Sequence, residues 1–284
     1  MGARYSVTNL LATATREVWK GDTPSRPSAS ASQNFHEAAF PPAHLGDYRA
    51  GKVCRAKAPG PCTFAAYLSA SSVAYDFIAL INHNLRDSAT VTFHAGSSAS
   101  GPWESLPLSI YEGAFFQLIP GPPVTKRYIR VSISGSNPTT DGYPVQIGQL
   151  WLGMRQTLPP FQWGMEEGED FITSYSESEY GVAHTHYLSK RRTLHGRFVP
   201  ALSRSTADDL AAFYRQVQGR TRAFLLMPDD LRPYNVMLGR LASAGWRRTS
   251  VPVARVKGST HDARINFAGL EFQFQEDPYG ATGA

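Results

Sequence analysis

Leu188–Asp230 reads LSKRRTLHGRFVPALSRSTADDLAAFYRQVQGRTRAFLLMPDD, and its pattern decides the fold. In Thr193–Val199 the residues Leu194, Gly196 and Phe198 alternate with Thr193, His195 and Arg197. A period of two predicts a strand with one buried face. Leu210, Phe213, Tyr214 and Val217 then follow at helical spacing and predict an amphipathic helix over 206–218. Ser205 or Thr206 is its expected cap, Asp208 and Asp209 suit the positive end of its dipole, and Arg215 suits the last turn. Gly219 is the expected left-handed terminator. Ala223–Met227 is a second short apolar run, stopped by Pro228-Asp229-Asp230. One helix between strands must lay its apolar stripe on a sheet or plug a barrel mouth.

Outward from this motif the chain is β-rich. Its 284 residues are enough for two domains. On the N-terminal side, Asp22–Gln33 (DTPSRPSASASQ) is a polar stretch read as loop, and Phe40–Leu45 as a turn into a short helical piece. Asp76–Ile81, Ala89–His94, Phe115–Ile119, Tyr128–Ile133 and Val145–Leu152 read as strands. In the last, Val145 and Ile147 share one phase and Leu150 and Leu152 the other, so a bulge is expected near Gly148. Turn signals between short strands indicate a sandwich or jelly roll. Arg155–Gly168 reads as a linker. Beyond it, Phe171–Ser176, Gly181–Leu188, Asn235–Ser243, Val251–Lys257 and Ala263–Gln275 complete a second β domain, with a bulge expected at Ala268-Gly269. The predicted organisation is therefore 1–154, a β-sandwich containing the 22–33 loop; 155–168, a linker; 169–276, a second β domain with helix 206–218; and 277–284, a flexible tail.

The formal charge of +5 is modest, but the charges are segregated. Met165–Tyr180 holds six acids (Glu166, Glu167, Glu169, Asp170, Glu177, Glu179) and no Lys or Arg, while Ser189–Arg264 holds fifteen Lys or Arg against five Asp. Such blocks could pair neighbouring copies head to tail, or be solvated faces. Cys54 and Cys62 could form a small loop disulfide or stay free. No run has signal-peptide or transmembrane length, which predicts a soluble protein made in the cytoplasm, with no membrane partner.

No assembled catalytic set, dinucleotide fingerprint or phosphate loop is present, so a non-enzyme without catalytic residues, cofactor or metal is expected. His184 and His186 share one strand face and could hold a metal with His195 from a neighbouring strand; an exposed histidine face is the plainer reading. Glu166-Glu167 and Asp229-Asp230 read as solvated turn acids. Asn82-His83-Asn84 follows a buried strand, where binding loops and ordinary turns both occur. Trp103, Tyr111, Tyr143, Trp151, Trp163 and Trp246 could stack on sugars or serve as core. Arg247-Arg248 beside Trp246 is a basic turn, and no sequence-specific nucleic-acid partner is expected.

On FPPAHLGDYRAGKV (40–53), FIALINHNL (77–85), VTFHAG (91–96), YIRVSI (128–133) and IGQLWLG (147–153), residues 36–153 resemble a discoidin-like, galactose-binding-like jelly roll of the kind found in phage tail proteins. Cys54 stands where such domains often carry Trp. On RRTLHGRF (191–198), the helix, FLLMPD (224–229), LASAGW (241–246) and INFAGLEF (265–272), residues 160–276 are similar to the β domain of phage distal tail or minor tail proteins. These resemblances imply a mainly β chain: a jelly-roll β-sandwich, then a tail-tube-like β domain with one amphipathic helix. They also imply a structural subunit of a virion tail tip or baseplate, a homo-oligomeric ring (typically a hexamer) joining tube to tip. Its partners would be itself and other tail proteins (tube, tip or hub), and it would be assembled in the host cytoplasm. The expected subunit interface is Glu166, Glu167, Glu169, Asp170, Glu177 and Glu179 against Arg191, Arg192, Arg247 and Arg248. The alternatives are a glycan-binding tail adhesin touching a surface glycan with Asn82, His83, Asn84 and Trp103, or a glycan hydrolase.

Overall fold

The computed structural model describes residues 3–6, 39–49, 51–57, 61–68, 73–98, 101–111, 113–135, 138–140, 142–158, 166–177, 183–198, 201–202, 204–218, 221–229, 232–242, 265–266 and 271–276. In chain order the elements are β1 (Arg4–Ser6), a 3-10 turn (Pro42–Gly46), β2 (Cys54–Arg55), β3 (Cys62–Tyr67), β4 (Val73–Tyr75), β5 (Phe77–His83), β6 (Thr90–Gly96) and β7 (Trp103–Leu108). Then come β8 (Gly113–Leu118), β9 (Val124–Lys126), β10 (Tyr128–Ser134), β11 (Gln146–Gly153), β12 (Gln156–Thr157), β13 (Glu166–Glu177) and β14 (Ala183–Arg197). The remainder are β15 (Ala201–Leu202), α1 (Arg204–Val217), β16 (Phe224–Met227), β17 (Met237–Leu241), β18 (Ile265–Asn266) and β19 (Glu271–Glu276). The protein is mainly β. Among the described residues no helix is long and apolar enough to cross a membrane.

The chain forms two compact units. One is Thr8–Gln156 with Leu231–Met237; the other is Met1–Val7, Thr157–Asp230 and Leu238–Ala284. This differs from the division expected at residue 154. Arg4–Ser6 pairs antiparallel with β16, so the first strand belongs to the helix-bearing unit. Residues 231–237 join the sandwich instead: the Phe116 N–H donates to the Pro233 carbonyl at 2.8 Å, and Tyr234 packs on Tyr111 at 5.8 Å.

The first unit is a jelly-roll sandwich of two four-stranded sheets, β3-β10-β6-β7 and β2-β11-β5-β8. Alternation explains the first sheet: Val91, Phe93, Ile129, Val131 and Ile133 turn into the core, while Thr92, His94, Arg130 and Ser132 lie on the opposite phase. The second sheet is buried on both faces, which is why its strands read as continuous apolar runs. Ile78, Leu80, Phe115, Leu150 and Leu152 line the shared core. Behind that sheet the 3-10 turn makes a cover. Gln149 there is fully buried; its Nε2 donates to the His44 carbonyl (2.6 Å) and Asp47 Oδ1 (2.9 Å), and its Oε1 accepts the Tyr48 N–H (3.2 Å).

The phase change expected at Gly148 is present, since Ile147 and Leu150 both join the core. The local irregularity sits across from it on β5. Asn82 is left-handed (φ 54), and the β5–β8 register shifts between Ile81 and His83. The edge strand β7 was not legible: Pro102, Glu104, Ser105 and Pro107 break any apolar alternation, as suits an edge.

The second unit holds a seven-stranded sheet, β12-β1-β16-β17-β19-β14-β13. The helix stripe behaves as read: Leu210, Phe213, Tyr214 and Val217 are buried. Phe213 packs edge-on against Tyr5 (4.5 Å) and Phe224 (5.2 Å), and Phe224 against Phe274 (5.1 Å), so α1 lies on the sheet. The helix begins at Arg204, two residues before the expected start. Ser205 and Thr206 are therefore inside its first turn, and that turn carries no acid. Its left-handed end is Gln218 (φ 50); Gly219 lies outside the described residues. The expected linker is partly strand: Gln156–Thr157 forms β12, and Glu166 opens β13. The 22–33 loop, the 277–284 tail, Val251–Lys257 and the Ala268-Gly269 bulge lie outside the described residues.

Candidate functional site

Strand register sorts the candidates to two ends of the jelly roll. β5 and β10 finish, and β6 and β11 start, around Asn84; Thr90 lies opposite Ser134, and Gln146 opposite Arg55. At the other end Gly96 pairs with both Tyr128 and Trp103. The six residue steps of β6 between Thr90 and Gly96 span about 20 Å. The expected glycan set of Asn82, His83, Asn84 and Trp103 is thus not one site.

At the Asn84 end the polar groups hold the fold together. Asn84 Oδ1 accepts the Gln146 N–H (2.8 Å), and its Nδ2 donates to the Pro144 carbonyl (3.1 Å), so the side chain continues the ladder where the backbone cannot. Arg86 donates to the Thr140 carbonyl (3.2 Å), which ties the same loop down. His83 is 7% exposed, its Nδ1 accepts the Leu85 N–H (3.2 Å), and its ring meets Phe115 edge-on at 5.4 Å. Burial lowers its pKa to about 4, opposed by a hydrogen bond with the Tyr111 backbone. The unfolded chain then binds this proton near pH 6.5 while the folded chain does not. Stability held above pH 6.5 is lost as pH falls toward 4, by about 3 kcal/mol in total. Urea unfolding between pH 7 and 4 checks this; in His83→Phe that share of the pH dependence should vanish.

The Trp103 end is built differently. On β10, β6 and β7 the pairings Arg130–His94 and His94–Ser105 set these residues in one row, with Tyr128, Gly96 and Trp103 in the next. All lie on the phase opposite the core, on the outer face of the sheet. The Arg130 guanidinium lies 4.9 Å from the Trp103 ring centroid. His94 Nδ1 and Ser105 Oγ are 2.8 Å apart. The His94 pKa is lowered, first by burial and then by Arg130, which keeps the ring neutral at pH 7. Gly96 lets the indole lie down: a Cβ there would stand 3.0 Å from Trp103 Cε3. Glu104 on the same strand turns to Lys126 at 2.6 Å. The face therefore combines an indole, a guanidinium, an imidazole and a hydroxyl. Outward phase was readable for Arg130 and His94; that register would set them beside Trp103 was not.

Other candidates resolve singly. Trp151 is fully buried, edge-on to Tyr48 at 5.3 Å. Tyr143 is exposed, and Tyr111 is half-buried on Tyr234. Cys54 and Cys62 are buried free thiols. Burial raises both pKa values, Cys62 to about 12, with the neighbouring Cys62 adding to the rise at Cys54. His184 and His186 lie on β14 opposite Ser176 and Ser174. His195 is on the same strand rather than a neighbouring one, about 30 Å along, too far to complete a metal site with them. Among the described residues no cluster of three potential ligands occurs.

Part of the acidic and basic blocks, expected to meet between copies, meets inside the chain. Antiparallel pairing of β13 and β14 sets Asp170 opposite Arg191 and Glu169 opposite Arg192. Arg191 reaches Asp170 at 3.3 Å; Arg192 reaches Glu167 at 3.9 Å and Glu276 at 3.0 Å. Glu166, Glu169 and Glu177 are exposed on β13. Glu179, Arg247, Arg248, Trp163 and Trp246 lie outside the described residues.

No protein-family model matches the chain, and no curated protein matches it. Solved structures similar to about half of it include chitosan-binding module 1 of a chitosanase/glucanase from Paenibacillus sp. IK-5 (15% identity, 51% of this chain, 98% of that chain, TM-score 0.38). Another is a fucose-binding module, SpX-3, of Streptococcus pneumoniae (11%, 51% and 96%, TM-score 0.36). A third is SpGH29 (18% identity, 52% of this chain, TM-score 0.35), of whose length the chain spans 28%. At TM-scores this low, the strand order given above, and not the likeness, is the ground for the fold.

Proposed function

We propose that this chain is a non-enzymatic carbohydrate-binding protein that takes a sugar on the outer face of β6, β7 and β10. The observation that carries this is the grouping of Trp103, Arg130, His94 and Ser105, from two neighbouring rows, on one partly exposed sheet face. A sugar ring offers apolar C–H groups on its faces and hydroxyls around its rim. An indole beside three hydrogen-bonding side chains answers both. A glycan array probed with the full chain should show binding, and Trp103→Ala should weaken it about tenfold. Silence across a broad array, or binding untouched by Trp103→Ala, would count against this face.

A second reading, a structural subunit of a phage tail or related particle, is favoured by β13. This twelve-residue edge strand leaves Phe171 and Tyr175 about two-thirds exposed. An edge with exposed aromatics invites another protein. Light scattering should then report an oligomer that Phe171→Ser with Tyr175→Ser dissociates; a monomer at every concentration would remove this reading.

A further inference from the structure

Arg130 says more about the ligand. It sits mid-strand on β10, partly buried, with its guanidinium stacked on Trp103. Among the described residues no carboxylate pairs with it and no hydrogen bond is made to it, while its Nε is enclosed without a partner. The acid that follows Trp103 on β7, Glu104, is committed to Lys126. A cation partly withdrawn from water without a counter-charge is costly, and its remaining N–H groups form a fork suited to two oxygens of one anion. A neutral sugar would leave that charge unanswered. His94, uncharged at pH 7, does not compete for the anion and can serve a neighbouring hydroxyl together with Ser105.

We infer that the sugar taken on this face carries an anionic group, a carboxylate or a sulfate, seated on the Arg130 guanidinium beside Trp103. This rests on the reading of the face as a sugar site. The shared chemistry of the two anions is a pair of charged oxygens within reach of a planar fork; which one is used is left to the probes.

The test is calorimetric titration of the full chain with an oligogalacturonate, a sulfated galactose oligosaccharide and a neutral galacto-oligosaccharide of matched length. At least one acidic probe should bind about ten- to a hundredfold more tightly than the neutral one. Added salt should shrink that gap. Arg130→Gln should abolish it, and Arg130→Lys should restore only part, because the charge returns without the fork. Preference for one acid over the other identifies the anion and supports the inference. Equal affinity for neutral and acidic probes, with Trp103→Ala still destroying binding, overturns the anion and leaves the sugar face standing. Binding of none of the probes overturns the anionic ligand, and a silent glycan array overturns the sugar face with it. If Arg130→Gln does not fold, the salt series on the unaltered chain decides: acidic-probe affinity indifferent to salt overturns the inference.

Discussion

Trp151→Ala is expected to destabilise the jelly-roll unit by about 3 to 5 kcal/mol, the range for removing a large buried aromatic. Trp151 is fully buried in β11, a strand with all eight residues buried. It packs between the second sheet and the segment that follows the 3-10 turn, edge-on to Tyr48. Its flanking pairs, Leu150 with Leu80 and Leu152 with Ile78, point into the sandwich core, so Trp151 itself faces the cover. Its loss opens a cavity on the side where Gln149 is bonded to His44 and Asp47. Urea denaturation should show a lower midpoint, and Trp151→Phe should recover much of it. A midpoint unchanged in Trp151→Ala would mean that this face is not sealed as described.

Glu276→Ala should cost a similar amount, about 3 to 5 kcal/mol, in the helix-bearing unit. The Glu276 side chain is 4% exposed and that of Arg192 23%. Glu276 Oε2 accepts from Arg192 Nε at 3.1 Å and from its backbone N–H at 3.1 Å, and Oε1 accepts from the second guanidinium nitrogen at 3.0 Å. Removing the carboxylate leaves a partly buried cation, with Glu167 3.9 Å away. The penalty comes from the charge-assisted hydrogen bonds that the Arg192 guanidinium loses, so Arg192→Met combined with Glu276→Leu should cost much less than Glu276→Ala alone. A double variant as unstable as the single one would contradict this. By contrast, Asp170→Ala should change stability little, because the Arg191–Asp170 pair is exposed.

The elements that the sequence made legible are those whose pattern is enforced by burial on one side. The alternation of Tyr128–Ile133 and the stripe Leu210, Phe213, Tyr214, Val217 both survive in the structure, because misplacing either would expose the whole apolar set. What depends on register between distant strands was hidden. The pairing of β13 with β14 puts part of the charge match, Asp170 with Arg191 and Glu167 with Arg192, inside the chain, and it could not be read from charge blocks. The same holds for the sugar candidates. Asn82-His83-Asn84 looked available because polar residues after a buried strand do not reveal that Asn84 is spent on Gln146 and Pro144, 60 residues away. Trp103 was singled out, but its partners Arg130 and His94 come from two other strands. The first strand posed a further problem: three residues, Arg4–Ser6, carry too short a pattern to announce pairing with Leu225–Met227.

Hydrogen exchange of the full chain with and without a bound acidic oligosaccharide tests the central claim most directly. Ligand-induced protection is predicted in 92–98, 103–106 and 128–132, the strand segments that carry His94, Trp103, Ser105 and Arg130. Protection confined to 82–86 and 138–146, with those strands unchanged, would place the sugar on the opposite end of the sandwich and contradict the account.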